Sequence, residues 1–337
     1  MKTCGLTLGK FAPLHHGHQF VIEQALKETE YLIVIIYDCP QITTIPLPVR
    51  CAWIKELYPK VEIIEAWDAP VEVGDTPELK QLYEEYILQI LKDRNITHFF
   101  SSEFYGEHLS QALKSKNMII DVPRKRFPIS GSDIRREPFK HKKFISLCVY
   151  RTLIANIVFL GAPSTGKTTM AEELAKKYNT TWMPEYGREY WEQHQIERRL
   201  SLQQLDEIAL GHIEREEEKL LQSNRYLFTD TNAITTYMFS LYYHGSVTPV
   251  LRELALASAT RYDLCFLCED DIPYDDTWDR SGDANRQVYQ KQVVAHLLQR
   301  KIPFFRLRGN LDERIHHVGR ILDNFDKFIS LTSLFRN

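Results

Sequence analysis

The run Gly9-Lys10-Phe11-Ala12-Pro13-Leu14-His15-His16-Gly17-His18 concentrates more potential chemistry than any other stretch in the first half of the chain. Gly9 and Gly17 permit close backbone approach, and Pro13 stiffens the turn between them. A helix beginning near His18 would aim its amide-rich, partly positive N-terminus at an anion held by the loop. His15 and His18 flank the turn and can present ring N–H donors to phosphate oxygens. The joint spacing of Gly, Phe, Pro, His, Gly and His separates this run from a loop with incidental surface histidines.

A second phosphate-type signature opens the other half. Gly161-Ala162-Pro163-Ser164-Thr165-Gly166-Lys167-Thr168 matches GxxxxGK[ST], follows the apolar run Ile157 to Leu160 and leads into a helical pattern, the context a P-loop requires. The amides from Gly161 through Ser164, Thr165 and Gly166 to Thr169 would cradle phosphates, with Lys167 reaching the β- and γ-phosphates and Thr168 holding Mg²⁺. Asp230 ends the apolar run Tyr226 to Phe228 and reads as a carboxylate for Mg²⁺ or for a substrate hydroxyl. Glu185 and Arg188 follow the second strand of this half, as a substrate-facing pair or as a surface ion pair. The polar stretch Asp279 to Arg286 carries Arg280 and Arg286 and resembles the lid that closes on ATP in small-molecule kinases.

These residues need elements to position them. In the first half, strand patterns at Thr3–Leu8, Tyr31–Tyr37, Val61–Ala66, Thr97–Ser101 and Ile119–Val122 alternate with helical patterns at His18–Glu28, Val49–Leu57 and Pro77–Leu91. A basic, proline-punctuated stretch from Pro123 to Lys143 follows. The alternation restarts with strands at Asn156–Leu160, Thr180–Met183, Tyr226–Thr229, Leu264–Leu267 and Phe304–Leu307, and with helices at Lys167–Tyr178, Leu202–Leu221 and from Leu311. Such alternation predicts an α/β chain with mainly parallel sheets, which bind ligands at the carboxyl ends of their strands. The Glu-rich run Glu214 to Glu218 reads as an exposed helix face.

A length of 337 residues suits two domains, and the boundary falls near Tyr150, giving 1–150 and 151–337. With 44% hydrophobic and 26% charged residues the composition is that of a globular protein. A net charge of -3 gives no electrostatic reason to expect a nucleic-acid partner. The N-terminus lacks a signal-peptide pattern and the apolar runs are strand length, so no membrane association is expected. Six cysteines without regular spacing do not form a disulfide framework, which predicts a cytoplasmic protein with reduced thiols. Cys265 and Cys268 have CxxC spacing, but they sit in an apolar strand pattern and read as core.

The first loop resembles the GxFxPxHxGH signature of the nucleotidylyltransferase superfamily, and Ser132 and Arg135, within Ile129 to Arg135, match that family's Ser/Thr-x-x-Arg turn. The resemblance implies a Rossmann-like domain in which His15 and His18 contact ATP phosphates through the transition state. Gly9, Lys10, Phe11 and Gly17 would surround the nucleotide, and Arg135, with Ser132 or Ser130, would hold the departing pyrophosphate. With an anionic phosphate as nucleophile no general base is required, and catalysis rests on positioning and on donors aimed at developing charge. The second half resembles small-molecule kinases of the P-loop type.

The two in this order resemble NadR-type bifunctional enzymes of pyridine-nucleotide salvage. Arg50, Trp53, Trp67-Asp68, the runs Ser101 to Gly106, Ile129 to Phe139 and Pro184 to Tyr190, and Asp230 to Ala233 all agree with that family. The resemblance implies ATP as co-substrate with Mg²⁺, and nicotinamide riboside, nicotinamide mononucleotide (NMN) and NAD as the other ligands. Riboside would be phosphorylated in the second half, with Glu185 or Asp230 orienting the 5′-hydroxyl, and NMN adenylylated in the first. Trp67 and Tyr105 would stack on nicotinamide. The first strand begins within a few residues of Met1, so the DNA-binding domain of some family members is not expected. Two alternatives stand beside this reading: another cofactor precursor as substrate, or a nucleotide-sensing second half. A homo-oligomer is compatible with all three.

Overall fold

Short runs of Ile, Val, Leu and Phe form the strands of the computed structural model, which describes residues 2–70, 76–102, 106–196, 199–273 and 283–329. The chain divides into two compact units, Met1–Tyr150 and Arg151–Asn337.

In the first unit the order is β1 Cys4–Gly9, α1 His16–Glu28, β2 Tyr31–Tyr37, α2 Leu47–Leu57, β3 Glu62–Ala66, α3 Pro77–Leu91, β4 His98–Ser101, α4 Gly106–Ala112, β5 Lys116–Ile119 and α5 Gly131–Arg136. A 3₁₀ turn, Lys142–Phe144, precedes α6, Leu147–Leu153. The described strands form one parallel sheet in the order β3-β2-β1-β4-β5. β2 is apolar along its whole length because helices cover both faces of such a sheet. The order reverses beside β1, between β2 and β4, so the loops after β1 and β4 open a crevice at the carboxyl edge.

The second unit repeats the plan with β6 Ala155–Leu160, α7 Lys167–Lys177, β7 Trp182–Met183, α8 Tyr186–His194, α9 Leu202–Gln222, β8 Tyr226–Asp230, α10 Ala233–His244, α11 Pro249–Arg261, β9 Leu264–Cys268, α12 Asp283–Gln299, β10 Phe305–Leu307 and α13 Leu311–Asn324. Its sheet runs β10-β9-β6-β8-β7, all parallel. The ladder between β6 and β8 sets Phe159 against Asp230, which brings that carboxylate to the edge where the P-loop leaves β6.

Three sequence expectations are corrected. β5 lies at Lys116–Ile119 rather than Ile119–Val122. Its ladder with β4 starts at Lys116, and the chain turns at Asp121, whose φ is 47° and whose carboxylate accepts the amides of Lys125 and Arg126. The Glu214–Glu218 run is not wholly exposed: Glu216 is 0% exposed and accepts from Asn156, from Arg261 Nε at 2.8 Å and from Tyr262 Oη at 3.2 Å. Arg286 does not stand in an open lid. It is buried on α12, and its guanidinium donates to backbone carbonyls.

Cys265 and Cys268 face opposite sides of β9 and enter two different cores. Burial pushes the Cys268 thiol up to about 12. Among the described residues no helix is long and apolar enough to cross a membrane.

Candidate active sites of the two units

In the first unit the loop after β1 turns through Phe11, a non-glycine residue at φ 47°, and a cis Ala12–Pro13 peptide, into α1. His15 caps that helix: its Nδ1 accepts the Gly17 amide at 3.1 Å. A Cβ on Gly17 would stand 2.9 Å from the His15 ring, so only glycine lets the imidazole lie against the first turn. His18 lies beside His15 with ring centroids 3.7 Å apart, and Phe11 meets His18 edge-on at 5.0 Å.

With Nδ1 accepting, the neutral His15 ring carries its proton on Nε2. That atom and His18 Nδ1 are both buried without a hydrogen-bond partner among the described residues. Burial, reinforced by Arg124, His16 and Arg135, lowers His15 to about 4; burial and the neighbouring His15 hold His18 well below its ordinary value. The pair is therefore uncharged at neutral pH, and both residues, with their orphaned ring nitrogens, belong to the wall of a cavity of about 600 Å³. Anionic oxygens would satisfy them.

The cavity wall contains every residue expected of this half at the nucleotide: Gly9, Lys10, Phe11, His15, Gly17, His18, Ser130, Ser132 and Arg135. Ser130 caps α5 in a capping box with Asp133. Arg135 is held by Ser132 Oγ at 2.8 Å and Ala12 O at 3.3 Å. Buried Arg50 ties the loops together, donating to Lys10 O and Tyr37 O at 2.7 Å each. Arg124 and Gly131 are among the lining residues that the sequence had not singled out. Arg124 acts electrostatically on both histidines, and Gly131 has a Cβ position 3.7 Å from His15 Nε2. Trp67 departs from expectation: it is 57% exposed, donates its indole N–H to Glu65 and is outside the lining. Tyr105 lies outside the described residues.

In the second unit Gly161, Ser164, Thr165, Gly166, Lys167, Thr168 and Thr169 line a cavity of about 520 Å³ together with Glu185 and Arg188. Gly161 has φ 148° and a Cβ there would lie 2.5 Å from Cys268 O, so the loop leaves the strand only through glycine. Gly166, at φ 83°, supplies the left-handed cap of α7. Lys167 Nζ donates to Ala162 O at 3.0 Å. Asp230 accepts from Thr168 Oγ1 through Oδ2, while its Oδ1 is buried and unpartnered among the described residues. An orphaned carboxylate oxygen beside a P-loop threonine is the donor set a hard divalent cation takes, so Thr168 and Asp230 fit Mg²⁺. Glu185, at the N-cap of α8, stands 3.9 Å from Arg188. Arg280 lies outside the described residues.

The same cavity holds polar groups that had not been singled out. His212 is 5% exposed with Nε2 unpartnered among the described residues, and Tyr289 Oη is likewise unpartnered. Both are close enough to Glu185 to feel its charge. Trp191, Phe239 and Tyr243 add an aromatic wall. A signal for His212 was present: Leu205, Ile208, Ala209, His212, Glu216 and Leu220 form the buried stripe of α9 at helical spacing, so two polar residues interrupt an apolar face.

Residues 6–137 match the Cytidylyltransferase-like family model and residues 156–314 a model described as AAA domain. Over 326 residues the chain is 28% identical to the trifunctional NAD biosynthesis/regulator protein NadR of Escherichia coli, covering 91% of this chain and 79% of that protein. Its identity to the NadR of Salmonella typhimurium is 27% over 327 residues, with the same coverage. Solved structures of NadR protein in complex with NR, and with NAD and AMP-PNP, share the fold at a TM-score of 0.58 and 20% identity. The first covers 94% and the second 96% of both chains.

Proposed function

We propose, from its homology to the NadR proteins over nearly the whole chain, that this protein is a bifunctional enzyme of NAD salvage. The second unit phosphorylates nicotinamide riboside with ATP to give NMN and ADP. The first joins NMN to the adenylyl group of ATP and releases pyrophosphate. The observation that carries this reading is the presence in one chain, in the NadR order, of a buried histidine pair and a P-loop backed by a buried carboxylate, in which His15 Nε2, His18 Nδ1 and Asp230 Oδ1 have no partner among the described residues.

In the first unit the attacking NMN phosphate is already ionised, so the residues need only align it and stabilise charge. His15 Nε2–H and the His18 ring donate to ATP oxygens, and Arg135 holds the leaving pyrophosphate, its fork kept in place by Ser132 and Ala12 O. Lys10 and Arg124 add positive charge around the same cavity.

In the second unit the nucleophile is a hydroxyl. Asp230 is committed to Thr168 and, when Mg²⁺ is bound, to the metal that draws charge from the β- and γ-phosphates. Glu185 stands free of that pair and is the carboxylate that orients the 5′-hydroxyl and takes its proton as the γ-phosphoryl group transfers. The aromatic wall of Trp191, Phe239 and Tyr243 suits the flat cationic pyridine ring.

The test incubates the full chain with ATP and Mg²⁺ and either nicotinamide riboside or NMN. NMN and ADP from the first mixture, and NAD and pyrophosphate from the second, are expected. Lys167→Ala should stop only the first reaction and His18→Ala only the second. A wild-type protein that forms neither product sinks the substrate assignment.

A further inference from the structure

Behind the phosphate loop of the second unit, two buried guanidiniums hold the loop by its carbonyls. Arg314, on the first turn of α13 and 2% exposed, donates Nη1 to Thr165 O at 2.7 Å, Nε to Gly309 O at 2.9 Å and Nη2 to Glu269 O at 3.1 Å, and pairs with Asp271. Arg286, on α12 and 4% exposed, donates Nη2 to Ser164 O at 3.1 Å and Nη1 to Ile272 O at 2.9 Å. Ala162 O accepts Thr165 Oγ1 at 2.8 Å and Lys167 Nζ at 3.0 Å.

The consequence follows from peptide geometry. Within one trans peptide unit the C=O and the next N–H point in opposite directions. Fixing Ser164 O and Thr165 O on the arginine side therefore turns the amides of Thr165 and Gly166 the other way. Ser164 at φ 58° and Gly166 at φ 83° flank Thr165, which is not at positive φ, an alternation of the kind that gathers successive N–H groups into an anion nest. A non-glycine residue at positive φ is strained and persists only where the surroundings hold it. Arg286 holds its carbonyl.

We infer that Arg286 and Arg314 are positioning residues for this loop: they fix two peptide planes so that the Thr165 and Gly166 amides are aimed at the nucleotide's phosphates before it binds. Neither acts by touching the nucleotide. The role is independent of the acceptor substrate and so of the reaction proposed above.

The test is calorimetric titration of the full chain with AMP-PNP and Mg²⁺, with Lys167→Ala used to assign the second unit's isotherm, and with adenosine as a ligand that needs no loop amides. Arg314→Met and Arg286→Met keep the apolar stem and remove the fork. Each is expected to weaken AMP-PNP at that site by about 10-fold or more while adenosine stays within about twofold, so the ratio of the two affinities falls. AMP-PNP binding within twofold of wild type overturns the inference. So does an equal weakening of AMP-PNP and adenosine, which marks general loss of the unit. If Arg314→Met loses cooperative unfolding, Arg286→Met, which removes the donors to Ser164 O and Ile272 O, decides by the same criteria.

Discussion

Thr168 and Asp230 are 62 positions apart in sequence and meet in a 2.5 Å hydrogen bond between the first turn of α7 and the end of β8. Burial first, and then the charge of Glu185, raises the Asp230 carboxyl from 3.8 to about 6. Its folded-state value lies above its unfolded one, so its contribution to stability is fully present below about 3.8 and is lost as pH rises through about 6. At neutral pH the ionised, buried carboxylate therefore destabilises the apo protein. Asp230→Asn should raise the second unit's thermal midpoint at pH 7.5, leave it near wild type around pH 4, and reduce phosphorylation at least 100-fold. Scanning calorimetry at the two pH values and a product assay check this.

The clearance between Gly17 and His15 gives a second prediction. Gly17→Ala puts a methyl group where the His15 ring lies, 2.9 Å away, and must swing the imidazole off the helix N-terminus. Loss of one aligned donor predicts a fall in adenylylation of roughly 100-fold, with phosphorylation unchanged. A variant retaining wild-type kcat would mean that His15 does not act from this position.

His212 should contribute to acceptor binding rather than ATP binding. His212→Leu keeps the volume and removes the Nε2 partner, so KM for nicotinamide riboside should rise roughly 10-fold while KM for ATP stays constant. Burial lowers this imidazole to about 4, so its contribution should show no inflection between pH 5.5 and 8. An equal rise in both KM values would assign it a merely structural role.

The Glu216 cluster predicts a stability effect confined to one unit. Glu216→Ala removes the buried acceptor of Asn156, of Tyr262 Oη and of Arg261 Nε, while Arg261 Nη2 keeps Glu217 at 2.9 Å, and should cost about 1–3 kcal/mol, read by urea unfolding. Glu216→Leu combined with Arg261→Met should recover part of that loss, since the guanidinium that lost its Glu216 partner is removed with it. Adenylylation by the first unit serves as the internal control.

Much of this was legible in the sequence because it is local. The two phosphate loops, their strands and the long helices announce themselves through glycine placement, caps and periodicity at neighbouring positions. α10 and α11 were harder, since Ala-Ile-Thr-Thr-Tyr-Met mixes β-branched and aromatic residues that suit either state. The polar groups inside the second cavity were harder still. His212 and Tyr289 belong to α9 and α12, and only the tertiary fold turns them towards Glu185. The sequence reads Arg286 as part of a lid over ATP, whereas its carbonyl partners come from residues 14 and 122 positions away.

The second cavity is built from two kinds of support. Its P-loop end, where the proposed metal would sit, rests on adjacent strands, Asp230 being laddered to Phe159 two residues before the P-loop begins. Its acceptor end is a collection of side chains from α8, α9, α10 and α12. A change in acceptor preference needs only new side chains on helix faces, each of which can drift singly. A change of phosphate donor requires re-registering a sheet. Over evolutionary time such a scaffold should keep its nucleotide and exchange its second substrate, which makes the acceptor wall the place to engineer.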